Sequence, residues 1–308
     1  MSTPSATDTR APASDGCWVC GGPLIITGDL RRCNACGLRL RAEADGTLVG
    51  MGGAPAISYP EDGAALTREV EDTSFWFAHR NRVLDALLTR YPPRGTLWDV
   101  GGGNGLQARH FQRQGRSVVM LEPGPVGCRN ARDRGVAVVV RSTLEDLALP
   151  AERLAALSAF DVIEHLADPH RLLAECRRLL RPGGRLYVTV PAFGFLWSDE
   201  DVYACHERRY TKATLTRQLE RAGFEIEYVS YYFRALLLPI LLLRTLPYRL
   251  TSWRKKPGQA QTMDQTEHNP QGLGQRIVAR LLERELREIG RGERLAFGSS
   301  LVAVARRR

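Results

Sequence analysis

Near the start of this 308-residue chain stand two cysteine pairs, Cys17-Trp-Val-Cys20 and Cys33-Asn-Ala-Cys36, with twelve residues between them. Each pair brings two thiolates to one tight turn, and the glycine that follows (Gly21, Gly37) tolerates the positive φ such a knuckle requires. Two facing knuckles supply a tetrahedral sulfur shell for zinc, whereas a redox dithiol needs only one pair. A full shell leaves no position for water or substrate, so Cys17, Cys20, Cys33 and Cys36 are expected to hold zinc structurally. A second kind of chemistry is signalled by Asp99-Val100-Gly101-Gly102-Gly103-Asn104-Gly105. Gly101, Gly103 and Gly105 leave room for a ligand against the backbone, and Asp99 offers a carboxylate suited to a cationic amino group. No Gly-Lys-Ser/Thr follows, which argues against a nucleoside triphosphatase. Twenty-one residues after Gly101, Glu122 is placed to accept two hydrogen bonds from a ribose diol, a feature shared with nicotinamide dehydrogenases.

These residues need a scaffold that gathers them at one edge. From residue 96 the pattern alternates strand and helix. Strands are expected at Thr96–Val100, Ser117–Leu121, Val136–Arg141, Leu154–Phe160, Arg185–Val190, Phe224–Phe233 and Ser299–Arg306, with helices at Leu106–Gln114 and Pro169–Leu180. Pro182-Gly183-Gly184 reads as a turn feeding the fifth strand. Alternation of this kind implies right-handed crossovers and an α/β, Rossmann-like doubly wound sheet. Ahead of it, Leu66–Tyr91 reads as one helix ended by Pro92 and Pro93. Its Phe75-Trp76-Phe77 is core packing or a lid over a ligand. The organisation expected is a disordered tail (1–16), a zinc ribbon (17–50), a linker (51–65) and one large domain (66–308) with a helical insertion at about 235–292. That insertion holds Ala235–Leu243, too short to cross a membrane, a polar stretch Lys255–Gln271, and an amphipathic pattern over Gly272–Ile289.

Taken together, Asp99–Gly105, Glu122, Ser142-Thr143-Leu144-Glu145-Asp146, Asp161-Val162-Ile163-Glu164-His165-Leu166-Ala167-Asp168-Pro169 and Leu180-Arg181-Pro182-Gly183-Gly184 resemble class I S-adenosylmethionine-dependent methyltransferases. The resemblance covers roughly residues 70–234 and the last strand. It implies a seven-stranded sheet with an antiparallel last strand, and S-adenosylmethionine as cofactor. Asp99, Gly101, Gly102, Gly103 and Gly105 would then surround its methionine portion, Glu122 its ribose, Thr143 and Leu144 its adenine, and Ala159 and Phe160 its sulfonium. Two departures from the family pattern are Gly102 in place of the usual cysteine and Ala155 in place of an aspartate early in the fourth strand. More narrowly, the zinc ribbon, the Phe-Trp-Phe helix, His206-Glu207-Arg208-Arg209-Tyr210 and Gly298-Ser299-Ser300-Leu301 are similar to a subgroup of methyltransferases with mostly unassigned substrates. Quinone O-methyltransferases are more distant relatives with a similar Glu-His pair.

Methyl transfer from a sulfonium asks the protein mainly for alignment and exclusion of water, and for a base only where the acceptor must lose a proton. The candidates are His165, Glu164, Asp161 and His206; equally, Glu164-His165 may serve only to cap a helix. A third reading has the four residues bind a second divalent metal, as similar arrangements do in some small-RNA methyltransferases. For the acceptor, a small, lipid-like or glycan-like molecule competes with RNA, and a non-catalytic interaction protein is a further alternative. The net charge of +9 lies from Arg234 onward, where 15 Lys+Arg face 6 Asp+Glu. With Ala235–Leu243 bracketed by arginines, residues 234–250 are a candidate contact with an anionic membrane face. The ribbon carries no stripe of cations with aromatics, which argues against nucleic acid. Seven cysteines, four in metal spacing, together with no apolar leader, suit a cytoplasmic protein peripheral to the inner face of a membrane.

Overall fold

A computed structural model describes residues 16–52, 67–68, 70–251 and 273–308. The expected tail, most of the linker and the polar stretch 255–271 lie outside the described residues. The ribbon contributes four short strands, β1 (Ile25–Thr27), β2 (Leu30–Arg32), β3 (Arg39–Ala42) and β4 (Leu48–Gly50). Its two knuckles repeat one hydrogen-bond pattern. The Cys17 N–H donates to Gly22 O and the Gly21 N–H to Cys17 O, just as Cys33 N–H donates to Leu38 O and Gly37 N–H to Cys33 O. Gly21 (φ 74°) and Gly37 (φ 80°) take the left-handed conformation that closes each turn. The four Sγ atoms come within 4.8 Å of one another.

The expected helix from 66 is broken. Helical residues at 67–68 and 70–71 give way to a turn, and Ser74 starts α1 (Phe75–Arg90) anew, its Oγ accepting the Trp76 N–H. Val83, Leu84, Leu87 and Leu88 lie on one face of α1 and are buried, each worth roughly 1.5–3 kcal/mol. After it come β5 (Leu97–Val100), α2 (Leu106–Arg113), β6 (Val118–Leu121), α3 (Pro125–Asp133), β7 (Val139–Arg141), β8 (Leu154–Phe160) and α4 (Pro169–Leu179). All four residues of β5 and all four of β6 are buried, as expected of strands covered on both faces. The chain then runs through β9 (Leu180–Pro191), α5 (Asp199–Tyr203), α6 (Lys212–Arg221), β10 (Phe224–Tyr232), α7 (Arg234–Ile240), α8 (Leu246–Thr251), α9 (Leu273–Gly290) and β11 (Ser300–Arg307).

One sheet of eleven strands results, in the order β1-β2-β3-β4-β7-β6-β5-β8-β9-β11-β10. The seven strands from β7 to the β10 edge are the expected doubly wound arrangement, with β11 antiparallel to both neighbours. The four additional strands were not anticipated in the sheet. The ribbon joins it because β4 pairs in parallel with β7 (Leu48↔Val140, Val49↔Arg141), while Leu38, Leu40 and Leu48 enter the common core. The Pro182-Gly183-Gly184 turn is also absorbed into a strand. The β8–β9 register steps from Leu154↔Leu180 to Ala156↔Arg185, so the residues between form a bulge, with Gly183 at φ 76°.

In the insertion, Pro239 removes a backbone donor inside α7, and a π-helical turn at Leu241–Thr245 follows it. The buried Glu285 of α9 ties this region down. Its carboxylate accepts the Phe233 and Arg234 N–H groups at 2.7 and 2.8 Å, at the start of α7, and meets His79 Nε2 of α1 at 3.0 Å. Many C-terminal arginines are paired: Arg234 with Glu288, Arg244 with Glu200, Arg306 with Glu225 and Arg307 with Glu152. The basic quarter is thus partly neutralised within the fold.

Candidate active site

The glycine turn hangs from the carboxyl ends of β5 and β6. Gly101 and Gly102 N–H groups both donate to Leu121 O. Gly101 (φ 68°) sits where a Cβ would come within 2.8 Å of Val162, and Gly105 (φ 77°) where it would meet Ala131. Gly103 (φ 54°) differs: nothing lies within 4 Å of where its Cβ would be. That is the open wall of the turn. Beneath it, Glu122 accepts the Gly103 N–H at 2.9 Å on one oxygen and the Gly124 N–H at 2.7 Å on the other. Each oxygen keeps a second lone pair. Burial pushes the Glu122 carboxyl up to about 7, against the pull of those two N–H groups. Asp99 is likewise buried and pushed up to about 6, with a Ser158 hydroxyl donating to it at 2.7 Å. Neither acid has a cation paired with it among the described residues. An open glycine wall, a buried acid for an ammonium group and an oriented carboxylate with spare lone pairs fit S-adenosylmethionine.

Of the residues assigned to adenine, Leu144 is buried and the Thr143 hydroxyl donates to Asp146 at 2.7 Å. Ala159 and Phe160 are also buried, and Phe160 packs on Phe111. Their side chains face the core, so what they can offer a sulfonium is backbone.

A cavity of 530 Å³ lies at the same sheet edge, lined by Asp161, Glu164 and His165, which follow β8, the parallel neighbour of β5. Trp76, Phe77 and Arg80 of α1 form one wall, and Leu236, Pro239, Ile240 and Leu243 another. Glu164, His165, Asp201, His206 and Arg209 supply its polar side. Trp76 stacks on Phe233 at 5.1 Å and 14°, so the aromatic triplet both packs and lines the cavity. Of the four catalytic candidates, the structure brings three together: ligand atoms of Glu164, His165 and His206 lie within 4.8 Å of one another. Asp161 lines the same cavity, and its carboxylate is paired with the buried guanidinium of Arg80 and accepts the Thr189 hydroxyl at 2.9 Å, which ties it to α1 and β9.

Burial, with His206 adding to it, pushes the His165 imidazole down to about 4, so the ring is neutral at pH 7. Burial and the neighbouring Asp161 raise the Glu164 carboxyl well above the usual range. Glu164-His165 forms a single 3-10 turn that caps no helix; α4 is instead capped by Asp168, which accepts the His170 N–H at 3.0 Å. Three contributors were not among the candidate site residues. Arg80 lies 81 residues from Asp161, and Asp201 with Arg209 forms a buried pair that also takes His206 Nδ1 at 2.8 Å. A capping box at Ser198–Asp201 gave the only local hint of Asp201.

Such a sheet, with a glycine turn, a buried carboxylate beneath it and a cavity at its carboxyl edge, defines a class I methyltransferase domain. The chain belongs to the methyltransferase domain family, whose model matches residues 76–229. A Mycolicibacterium smegmatis protein named a probable S-adenosylmethionine-dependent methyltransferase is 32% identical over 172 residues, covering 54% of this chain and 66% of that protein. A ubiquinone biosynthesis O-methyltransferase of Cereibacter sphaeroides is 39% identical over 93 residues, 29% of this chain and 38% of the other. This chain therefore spans less than two thirds of the length of these relatives. Among solved structures, the cyclase SpnF superposes with a TM-score of 0.52 at 18% identity, over 80% of this chain and 93% of that one. That likeness is one of fold.

Proposed function

We propose that this chain transfers a methyl group from S-adenosylmethionine to an oxygen or nitrogen of an amphipathic small molecule, lipid-like or glycan-linked, held in the 530 Å³ cavity. The observation that carries this reading is that the glycine turn follows β5 while the cavity's Asp161, Glu164 and His165 follow β8, its parallel neighbour, so cradle and cavity lie at one sheet edge. Asp99, Gly101, Gly102, Gly103, Gly105 and Glu122 would hold the cofactor's methionine and ribose, with Thr143 and Leu144 by its adenine. Bound there, S-adenosylmethionine supplies an electrophilic methyl carbon that the acceptor's lone pair displaces in line, the C–S electron pair staying on sulfur. The protein's share is alignment: Arg80 and Asp161 brace the cavity floor, and the Glu164, His165 and His206 cluster receives the acceptor's polar head and any proton it loses. The Cys17, Cys20, Cys33 and Cys36 shell is assigned to structural zinc.

The amphipathic character of the acceptor follows from the walls. Leu236, Pro239, Ile240 and Leu243 face the cavity, and the same segment exposes Leu238, Leu242, Leu246 and Leu250 outward beside Arg249. No helix among the described residues is long and apolar enough to cross a membrane. Peripheral contact with an anionic bilayer would let such an acceptor enter from its surface. A fold neighbour that is a cyclase makes a direct assay of transfer necessary.

The test supplies methyl-labelled S-adenosylmethionine to the protein with a fractionated cell extract and anionic vesicles. Label is expected in the organic-soluble fraction, and vesicle flotation is expected to weaken on Leu238→Asp with Leu250→Asp. Label confined to RNA, or tight cofactor binding with no transfer to any fraction, would overturn the reading.

A further inference from the structure

We infer that the acceptor carries an amine, which Glu164 binds as an ammonium inside the cavity and which is methylated on nitrogen. This rests on the methyltransferase reading above and narrows its acceptor to one with a cationic head.

The charges that line the cavity do not balance. Arg80, Arg209 and Arg244 stand against Asp161, Glu164, Glu200 and Asp201. Each guanidinium is already engaged: Arg80 with Asp161, Arg244 with Glu200, and Arg209 with Asp201 through two contacts at 2.7 and 2.9 Å. Glu164 is the acid left over. It has no exposed surface, and neither of its carboxylate oxygens receives a hydrogen bond from another residue among the described residues. A buried carboxylate in that position is costly until a ligand brings it donors or positive charge.

The kind of head group follows from what each would meet. A carboxylate or phosphate would set like charge against Glu164, with the lining arginines already taken. A hydroxyl has one proton to offer two oxygens. An ammonium offers up to three N–H donors together with the missing charge. Burial raises the Glu164 carboxyl well above its usual range, and a cation beside it draws it back towards the ionised form. The Ser299 hydroxyl, buried in the same lining and without a partner among the described residues, is free to accept a further N–H.

An ammonium has no lone pair, so it must lose a proton before it attacks. Nitrogens of His165 and His206 lie within 4.8 Å of the Glu164 carboxylate. His206 Nδ1 meets Asp201 at 2.8 Å, which leaves Nε2 to take that proton. The amine lone pair then forms a C–N bond to the sulfonium's methyl carbon as the C–S bond breaks, its electron pair staying on sulfur. The sulfonium's positive charge passes to the methylated nitrogen. Glu164 thus faces a cation before the transfer and after it.

The test has two arms on the full chain. In the first, S-adenosylmethionine isotopically labelled in its methyl carbon is supplied with a fractionated cell extract, and nuclear magnetic resonance of the product tells N-methyl from O-methyl. N-methyl is expected, and O-methyl overturns the inference. In the second, calorimetry compares octylamine, octanol and octanoate on protein loaded with S-adenosylhomocysteine. Octylamine should bind about tenfold more tightly than octanol or better, with octanoate weakest. Glu164→Gln should weaken octylamine about 30-fold or more, the loss typical of removing one partner of a buried charge pair, and octanol far less. S-adenosylhomocysteine binding to the variant reports that it is folded; should it not fold, the wild-type preference and the product's methyl group decide. Octylamine bound no better than octanol, or a preference that survives Glu164→Gln, overturns the inference, as does a divalent ion held by Glu164 to the exclusion of octylamine. Failure of the wild type to bind S-adenosylhomocysteine would instead overturn the methyltransferase reading, with octylamine binding to the unloaded protein still judging Glu164.

Discussion

The cofactor cradle and the acceptor cavity share a sheet edge but are built in opposite ways. The cradle's glycine turn and its carboxylate come from residues 99–122, and backbone does much of the contacting: glycine φ angles and N–H groups on Glu122. The cavity is made of side chains drawn from α1, the turn after β8, the segment around α5, the insertion and β11. Their electrostatics differ too. Asp99 and Glu122 are buried against hydroxyl and backbone donors, which on the proposed reading leaves Asp99 to an ammonium group and Glu122 to ribose hydroxyls. In the cavity, Asp161 and Asp201 are taken by arginines. A common cofactor can be met by a common backbone device, whereas a particular acceptor needs particular side chains.

The strongest way to test that separation is to remove the ribbon's support from the cradle side alone. Cys36 is buried in the sulfur cluster, and the ribbon's last strand pairs with β7, which leads into Thr143 and Leu144. On the structural-zinc assignment proposed above, Cys36→Ser should lower zinc content and take from the ribbon much of the roughly 10 kcal/mol of folding energy that such a site supplies. Hydrogen exchange should rise across residues 16–52 and 139–147, with weaker cofactor binding, while residues 161–209 keep their protection. Loss of protection reaching the cavity would show that the two regions are one cooperative unit.

The same contrast explains what could be read from sequence. Asp99 through Gly105, Glu122 and the two cysteine pairs are local patterns, and each falls where its spacing indicates. The seven strands of the doubly wound part were legible because the apolar runs and turns that define them are local as well. What was not legible depends on distance along the chain. The ribbon's parallel pairing joins residues 48–49 to 140–141, and Arg80 meets Asp161 across 81 positions. Asp161 stands beside Glu164-His165 in the sequence, and nothing near it announces the guanidinium that engages it. The break in the helix before α1 was readable in principle, since Ser74 is a good N-cap, but the continuous apolar pattern beyond it masked the signal.

A smaller effect sharpens the electrostatic half of the comparison. Arg80→Met leaves Asp161, about three-quarters buried, without its counter-charge and with only the Thr189 hydroxyl. Removing one partner of a buried pair costs about 3 kcal/mol. Urea denaturation should show that loss, and Arg80→Met with Asp161→Asn should recover most of it. S-adenosylhomocysteine affinity should change less than stability, because Arg80 reaches the cradle only through a minor downward pull on Asp99. A double variant no more stable than the single one would mean that Arg80 acts through its contacts with Trp76 and Phe77 instead.

The gentlest perturbation is a proton. Burial raises the Glu122 carboxyl to about 7 and Asp99 to about 6, so in the ligand-free protein both take up protons at higher pH than they do unfolded. Because the folded state then binds more protons, their contribution to ligand-free stability falls as pH rises from about 4 to 7. Cofactor binding runs the other way, since the ionised carboxylate is the better acceptor for ribose hydroxyls and the better partner for an ammonium. S-adenosylhomocysteine should therefore bind with release of one proton between pH 6 and 7, weakening up to about tenfold per unit, and more steeply below 6. His165, at about 4, is neutral throughout that range and adds nothing to the slope. Glu122→Gln should bind about 10- to 100-fold more weakly at pH 8, a loss typical of a hydrogen bond to a charged group. Its affinity should be flat from pH 8 down to 6, where Asp99 takes over. A slope that survives in Glu122→Gln between pH 6 and 7 would move the titration out of the cradle and undo the division between the two regions.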